Sequence, residues 1–280
     1  MNINDVKLIL KKLNLKPSKK LGQNFLVNNH TLQKIISTSE ILKEDVILEI
    51  GPGLGAITEE LVEKAKKVYA VEIDPSLSRY LSEIFSVYEN IEIINEDILK
   101  IDIPHHNKVV ANIPYSITGP IFEKMFFNQT PPQGIMTIER NIADRIFISG
   151  NYKDFSRISV SVNAFLIPKS RSPIPRQSFY PLPKIDLSLI RVIPREIIND
   201  FLIDPLSSQF FLELVAGIMP YKNKNLLNAL TLYFKAKYPY PYTKLNINSI
   251  LQNTSYKDKK VFNLQINDFI ELSRLFYSKK

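Results

Sequence analysis

The rhythm of apolar and polar positions changes twice along the chain. Over residues 3–15, Ile3, Val6, Ile9, Leu10 and Leu13 recur at helical spacing while Lys7, Lys11 and Lys12 take the other side, which predicts a surface helix. From Val46 onward the period shortens. Apolar runs at Val46–Ile50, Val68–Val71, Ile91–Ile94, Val109–Ala111 and Ile135–Ile138 read as strands, with helical patterns such as Ile57–Lys66 and Leu77–Val87 between most of them. Strand–helix alternation of this kind implies βαβ units, and hence an α/β fold with a doubly wound parallel sheet and helices on both faces. Five prolines (168, 173, 175, 181 and 183) crowd one stretch that must be extended or loop. Beyond Pro194 the segments 207–218, 225–236, 243–252 and 266–277 read as amphipathic helices. The expected organisation is a domain over 1–194 and a small all-α domain over 195–280.

A length of 280 residues suits two such domains, and 45% hydrophobic residues can fill both cores. The net charge of +8 suits a partner rich in phosphate. With no cysteine, disulfides, thiol nucleophiles and thiolate metal sites are excluded together. The early acid and scattered lysines of Met1–Lys7 argue against a signal peptide, and no uncharged apolar run reaches the ~18 residues of a membrane span. A soluble, cytoplasmic protein is expected, with no membrane contact.

In an open parallel sheet, ligands bind beyond the carboxyl ends of the strands, so the residues that follow each strand are the candidates for chemistry. The first strand runs into Gly51-Pro52-Gly53-Leu54-Gly55, which holds three of only eight glycines. The second ends at Glu72-Ile73-Asp74, the third is followed by Asn95-Glu96-Asp97, and the fourth by Asn112-Ile113-Pro114-Tyr115. A glycine turn at a helix start lets a ligand approach the backbone, and a carboxylate at 72 is placed to accept both hydroxyls of a ribose. Together they specify a nucleoside-containing cofactor without saying which one. Asp97 suits either the amine of an adenine or the cap of a helix beginning at Ile98. In Asn112–Tyr115, the side-chain carbonyl of Asn112 and the backbone carbonyl of Ile113 offer two acceptors beside an aromatic face, a match for the exocyclic amine of a planar base. His30 stands alone and His105-His106 lie in a surface loop, so no metal is expected.

Asn112-Ile113-Pro114-Tyr115 is similar to the target-amine motif of S-adenosylmethionine-dependent adenine N6-methyltransferases. Three more segments resemble the ribosomal RNA adenine dimethyltransferases, in order along the chain: Lys20-Leu21-Gly22-Gln23-Asn24-Phe25-Leu26, Glu49–Thr58 and Ser178-Phe179-Tyr180-Pro181-Leu182-Pro183-Lys184. The Gly-Pro-Gly loop, the Pro-Leu-Pro-Lys segment and the chain length resemble the small-subunit branch, the kasugamycin-sensitivity dimethyltransferases.

The resemblance implies a Rossmann-like methyltransferase sheet and a cofactor site of Asn24, Leu26, Gly51, Gly53, Glu72, Ile73, Asp97, Ile98 and Asn112. Asn112, Ile113 and Tyr115 would carry catalysis, and Tyr115 and Phe179 would sandwich the target adenine. The implied activity is dimethylation of N6 on two adjacent adenosines near the 3′ end of small-subunit rRNA, by a monomer acting on the RNA or on an assembling subunit. Lys16, Lys19, Lys20, Arg171, Arg176 and Lys184 flank the expected crevice in sequence and suit phosphate contact. The sequence departs from the family pattern at Ile138-Glu139-Arg140, at Phe155-Ser156 and at Tyr221–Asn225, where a basic run is diluted; these bear on rRNA docking. Competing readings are a large-subunit rRNA adenine methyltransferase of the macrolide-resistance type, a non-catalytic assembly factor, and a nicotinamide-dependent oxidoreductase. The last lacks an acid/base for hydride transfer after the fourth strand.

Overall fold

The chain was analysed as a computed structural model that describes residues 1–114, 117–148, 155–237 and 242–278. Its central feature is a seven-stranded sheet. β2 (Val46–Ile50), β3 (Lys67–Val71), β4 (Ile91–Ile94), β5 (Lys108–Asn112) and β6 (Gln133–Glu139) are parallel, in the order β4-β3-β2-β5-β6. These are the five strands expected from the apolar runs. β9 (Leu187–Pro194) joins β6 antiparallel, and β7 (Leu166–Ile174) follows it at the edge. A separate two-stranded sheet pairs β1 (Phe25–Leu26) with β8 (Phe179–Tyr180).

Burial on both faces explains the near-continuous apolar character of the parallel strands. Ile47, Val68, Val110 and Ile135 face one way, onto a core that includes Ile35 and Ile36 of α2 (Asn29–Ser39) and Leu61 of α3 (Ala56–Lys64). Gly134 faces the other way, where a Cβ would meet Phe126 of α5 (Thr118–Phe126) at 2.8 Å. The first helix, α1 (Ile3–Lys12), is closed by an Asn2–Asp5 capping box and buries Val6 and Leu10 with Phe25 and Leu54.

The described chain divides into two compact units: Met1–Phe126 with Pro131–Ala143 and Ile167–Pro194, and Phe127–Thr130 with Asp144–Leu166 and Arg195–Lys280. The second unit thus begins again at Arg195, beside the expected boundary, but it also takes residues from the middle of the chain. Packing supplies the reason. Phe165 of α7 (Arg157–Phe165) lies edge-on to Phe211 of α8 (Pro205–Ile218), with ring centroids 6.4 Å apart, and Lys222 Nζ donates to the Phe155 carbonyl at 2.6 Å. α9 (Leu226–Lys237), α10 (Lys244–Leu251) and α11 (Ile266–Tyr277) complete that unit, close to the four C-terminal helices expected.

An ion pair is buried beside the first unit's sheet. Lys108 and Asp45 have side chains only 2% and 3% exposed, and Lys108 Nζ donates to Asp45 Oδ2 at 2.6 Å and to the carbonyls of Ser39 and Glu40 at 2.9 and 2.8 Å. Leaving one partner of such a pair uncompensated typically costs about 3–5 kcal/mol. Lys108→Ala should therefore lower unfolding free energy in denaturant titration by about that amount. A loss under about 1 kcal/mol would show that the pair is not held in a dry core.

Glu49, 1% exposed on β2, has no partner for Oε2 among the described residues. Burial pushes its carboxyl up to about 8, and the nearby Glu72 adds to the rise. Glu49 is thus neutral in the folded protein at pH 7 and ionised in the unfolded chain. The stability tied to this group is complete below the ordinary carboxylate pKa and is lost as pH rises through about 8. Glu49→Gln should flatten the fall of unfolding free energy between about pH 5 and 8; an unchanged slope would mean that Glu49 is ionised in the folded state.

Candidate cofactor and target-base site

The tips of four parallel strands converge on one cavity. After β2 the chain turns through Gly51, Gly53 and Gly55, all at positive φ (69°, 62° and 85°), before α3 begins. This left-handed backbone disfavours side chains, and at Gly55 a Cβ would also collide with Phe85 at 2.8 Å. A Cβ at Gly51 would instead project into open space, and Gly51 and Gly53 both line the cavity.

Glu72 follows β3 directly and is 5% exposed. Its two carboxylate oxygens accept from Gly53 N at 3.1 Å and Asp74 N at 2.9 Å, so it ties the glycine turn to the next strand's end. Burial, with the charge of Asp74, raises its pKa, while the backbone donors oppose the rise. Asp97, half-buried after β4, lines the cavity, and its Oδ1 accepts from Leu99 N at 3.0 Å. It shapes a turn, so the expected helix beginning at Ile98 is not formed, and its side chain also faces the cavity.

Asn112 ends β5 on the same sheet face as Glu72, since both continue the alternation set by Val110 and Ala70. Its Nδ2 donates to the Asn24 carbonyl at 3.2 Å, while Oδ1 has no partner among the described residues. That one bond fixes which end of the amide is spoken for.

Asn24, Gly51, Gly53, Glu72, Ile73, Asp97, Ile98 and Asn112 of the expected cofactor set therefore all line one cavity. Leu26 does not. It pairs with Phe179 across the small sheet, and both are buried (7% and 3% exposed) in the apolar core with Ile35 and Leu187. The Phe179 ring is packed in that core, and Phe179 is not among the residues that line the cavity. The Ile113 side chain is buried at 1% exposure and its N–H donates to the Thr137 carbonyl at 3.1 Å. Tyr115 lies outside the described residues.

Gly22, Gln23, Phe25, Glu96, Pro114 and Ile117 also line the cavity and were not singled out by sequence reasoning. The first five stand inside the Leu21–Leu26, Asn95–Asp97 and Asn112–Tyr115 segments that the sequence analysis had picked out, without a cavity contact assigned to them; Ile117 carried no signal. Among the described residues no cluster of three or more His, Cys, Asp or Glu side chains is arranged for a metal ion. No helix among them is long and apolar enough to cross a membrane.

The residues present fit S-adenosylmethionine. A buried carboxylate keeps acceptor capacity for ribose hydroxyls, an open turn of backbone suits close approach, and the apolar Ile50, Leu77 and Ile98 supply walls for a flat base.

Comparison with known proteins agrees with this geometry. The family model for ribosomal RNA adenine dimethylase matches residues 14–267. The ribosomal RNA small subunit methyltransferase A of Alkaliphilus oremlandii is 35% identical over 235 residues, covering 80% of this chain and 81% of that protein. Among solved structures, a dimethyladenosine transferase from Plasmodium falciparum superposes with a TM-score of 0.75 at 25% identity, over 91% of this chain and 98% of that one. The 23S rRNA methyltransferase ErmE does so with a TM-score of 0.64 at 26% identity, over 90% and 99%. The chain belongs to the ribosomal RNA adenine dimethylase family, whose members are S-adenosylmethionine-dependent methyltransferases.

Proposed function

We propose that this protein dimethylates N6 of two adjacent adenosines near the 3′ end of small-subunit rRNA, on the RNA itself or on an assembling subunit. The observation that carries the reading is the convergence of Glu72, Asp97 and the unpartnered Oδ1 of Asn112 on one cavity. The name of the Alkaliphilus relative supports the small-subunit substrate. A monomer in the cytoplasm is the form we infer.

Glu72 would accept the ribose hydroxyls and Asp97 the adenine amine of the cofactor. When bound, S-adenosylmethionine supplies a sulfonium methyl that is already activated for transfer. What this chain must provide is alignment. The N6 lone pair of adenine is delocalised into the ring, which makes it a poor nucleophile. Asn112 Oδ1 and the Ile113 carbonyl would accept its two N–H bonds and hold the nitrogen in line with the methyl group. Positioning of this kind contributes about 7–11 kcal/mol to catalysis. No base is needed before attack, because the proton leaves after the nitrogen has become cationic. Extruding the base from RNA costs a few kcal/mol, and stacking on an aromatic face returns ~1–3 kcal/mol. With Phe179 buried in the core, that face would come from Tyr115 in this reading.

Incubation with unmethylated small subunits and labelled S-adenosylmethionine, followed by nucleoside analysis, should yield N6,N6-dimethyladenosine. Label confined to large-subunit RNA, or none in either, would refute the assignment. Asp97→Ala should weaken S-adenosylhomocysteine binding about tenfold in calorimetry, the worth of one charge-assisted hydrogen bond. Asn112→Ala should instead slow transfer by about a hundredfold at saturating cofactor while folded stability changes little. Near-normal turnover in that variant would remove Asn112 from the mechanism.

A further inference from the structure

The cavity's N-terminal wall is a strap, residues 18–25, that owes little to regular secondary structure. It is closed on itself by Gln23 N donating to the Ser18 carbonyl at 3.1 Å and Ser18 N donating to Gln23 Oε1 at 2.7 Å. The same glutamine also ties the strap to the end of β3, where Gln23 Nε2 donates to Asp74 Oδ2 at 2.9 Å. Asp74 is the cap of α4 (Pro75–Ile84), where its Oδ1 accepts from Ser76 N at 2.9 Å and Leu77 N at 3.4 Å. One residue along the strap, the Asn24 carbonyl receives Asn112 Nδ2. Gly22, at φ +64°, lies so close to Pro114 that a Cβ there would meet Pro114 Cβ at 2.9 Å.

We propose that Gln23 and Asp74 are positioning residues for methyl transfer: their hydrogen bond latches the strap, and the latched Asn24 carbonyl holds the Asn112 amide with Oδ1 toward the target amine. The inference rests on the reading of Asn112 as acceptor for that amine. Neither latch residue touches a reacting atom. The Asn112 amide is symmetric enough in shape to turn over, and only the acceptor opposite Nδ2 decides which way it faces. That acceptor is a backbone carbonyl on a loop, so its place depends on what pins the loop. The pairing of Phe25 with Tyr180 pins it from the C-terminal side, and the Gln23 side-chain tether, one residue before it, pins it from the other. The chemistry of the pair is also polar in a defined sense. Both ends of the Gln23 amide are committed, Oε1 to Ser18 N and Nε2 to Asp74, so it cannot reverse without setting two donors against each other at Ser18.

This polarity makes an exchange of partners decisive. Gln23→Glu keeps the acceptor for Ser18 N but sets a carboxylate against Asp74. Asp74→Asn keeps the cap on α4 through its oxygen but turns an amide donor toward the Gln23 donor. With both substitutions, the amide introduced at 74 donates to the carboxylate introduced at 23, and every other bond of the pair is kept. Misplacement of a reacting group by order 1 Å costs on the order of a hundredfold. We therefore expect each single variant to lower the rate of transfer to small-subunit rRNA at saturating S-adenosylmethionine by about tenfold or more, and the double variant to recover most of it. The Gln23→Glu defect should also ease as pH falls and the introduced carboxyl is protonated.

Amide hydrogen exchange over residues 18–25 reads the latch without any methyl transfer: faster in each single variant, back to the native rate in the double. Single variants as fast as the native protein, or a double variant no better than the worse single, would overturn the proposal. If the native protein transferred no methyl group to adenosine, the proposed function would fall, and the exchange rates alone would still decide whether Gln23 and Asp74 hold the strap.

Discussion

The carboxylate of Glu72 joins two strand ends that the polypeptide chain alone would leave independent. By accepting from Gly53 on one side and Asp74 on the other, it sets the separation between the glycine turn and the end of β3. The cost is a buried carboxylate, and its raised pKa reflects that cost. The same oxygens retain lone pairs that point to the cavity, so a group that organises the empty crevice is also placed to bind a ribose. Glu49 shows what happens on this sheet face where burial is stronger and one oxygen has no partner among the described residues: it is held neutral.

Around that junction the cavity is assembled from segments distant in sequence. Residues 21–25 arrive from before the sheet, and Asn112 from its fourth parallel strand, yet they meet in a single hydrogen bond. Parallel connectivity makes this possible because successive strands all deliver their carboxyl ends to one edge. Methyl transfer from an activated donor needs little acid or base from the protein. It needs a nitrogen, a methyl group and a sulfur in line, and the rigid tips of a buried sheet suit that task.

Much of this was legible in the sequence because the signals were local. Five apolar runs gave five strands, and the ends of four of them, with Asn24 from before the sheet, hold the eight expected cofactor residues that line the cavity. Leu26 and Phe179 turn into the core because their orientation is set by pairing between residues 25–26 and 179–180, a long-range match that no local pattern encodes. β7 was likewise hidden in the proline-rich stretch that read only as extended or loop, and β9 follows that stretch. The helical segment 157–165 gave no sign that it packs with the C-terminal helices rather than with the sheet before and after it, since that choice rests on the Phe165–Phe211 contact.

The most direct test is a crystal structure of the protein with S-adenosylhomocysteine. The account predicts the ribose hydroxyls on Glu72, the adenine amine on Asp97, and the sulfur beside Asn112, with the glycine turn against the amino-acid portion. A ligand lying elsewhere, or bound with its adenine at Asn112 and its sulfur far from it, would contradict the claim that these strand ends form the transfer site.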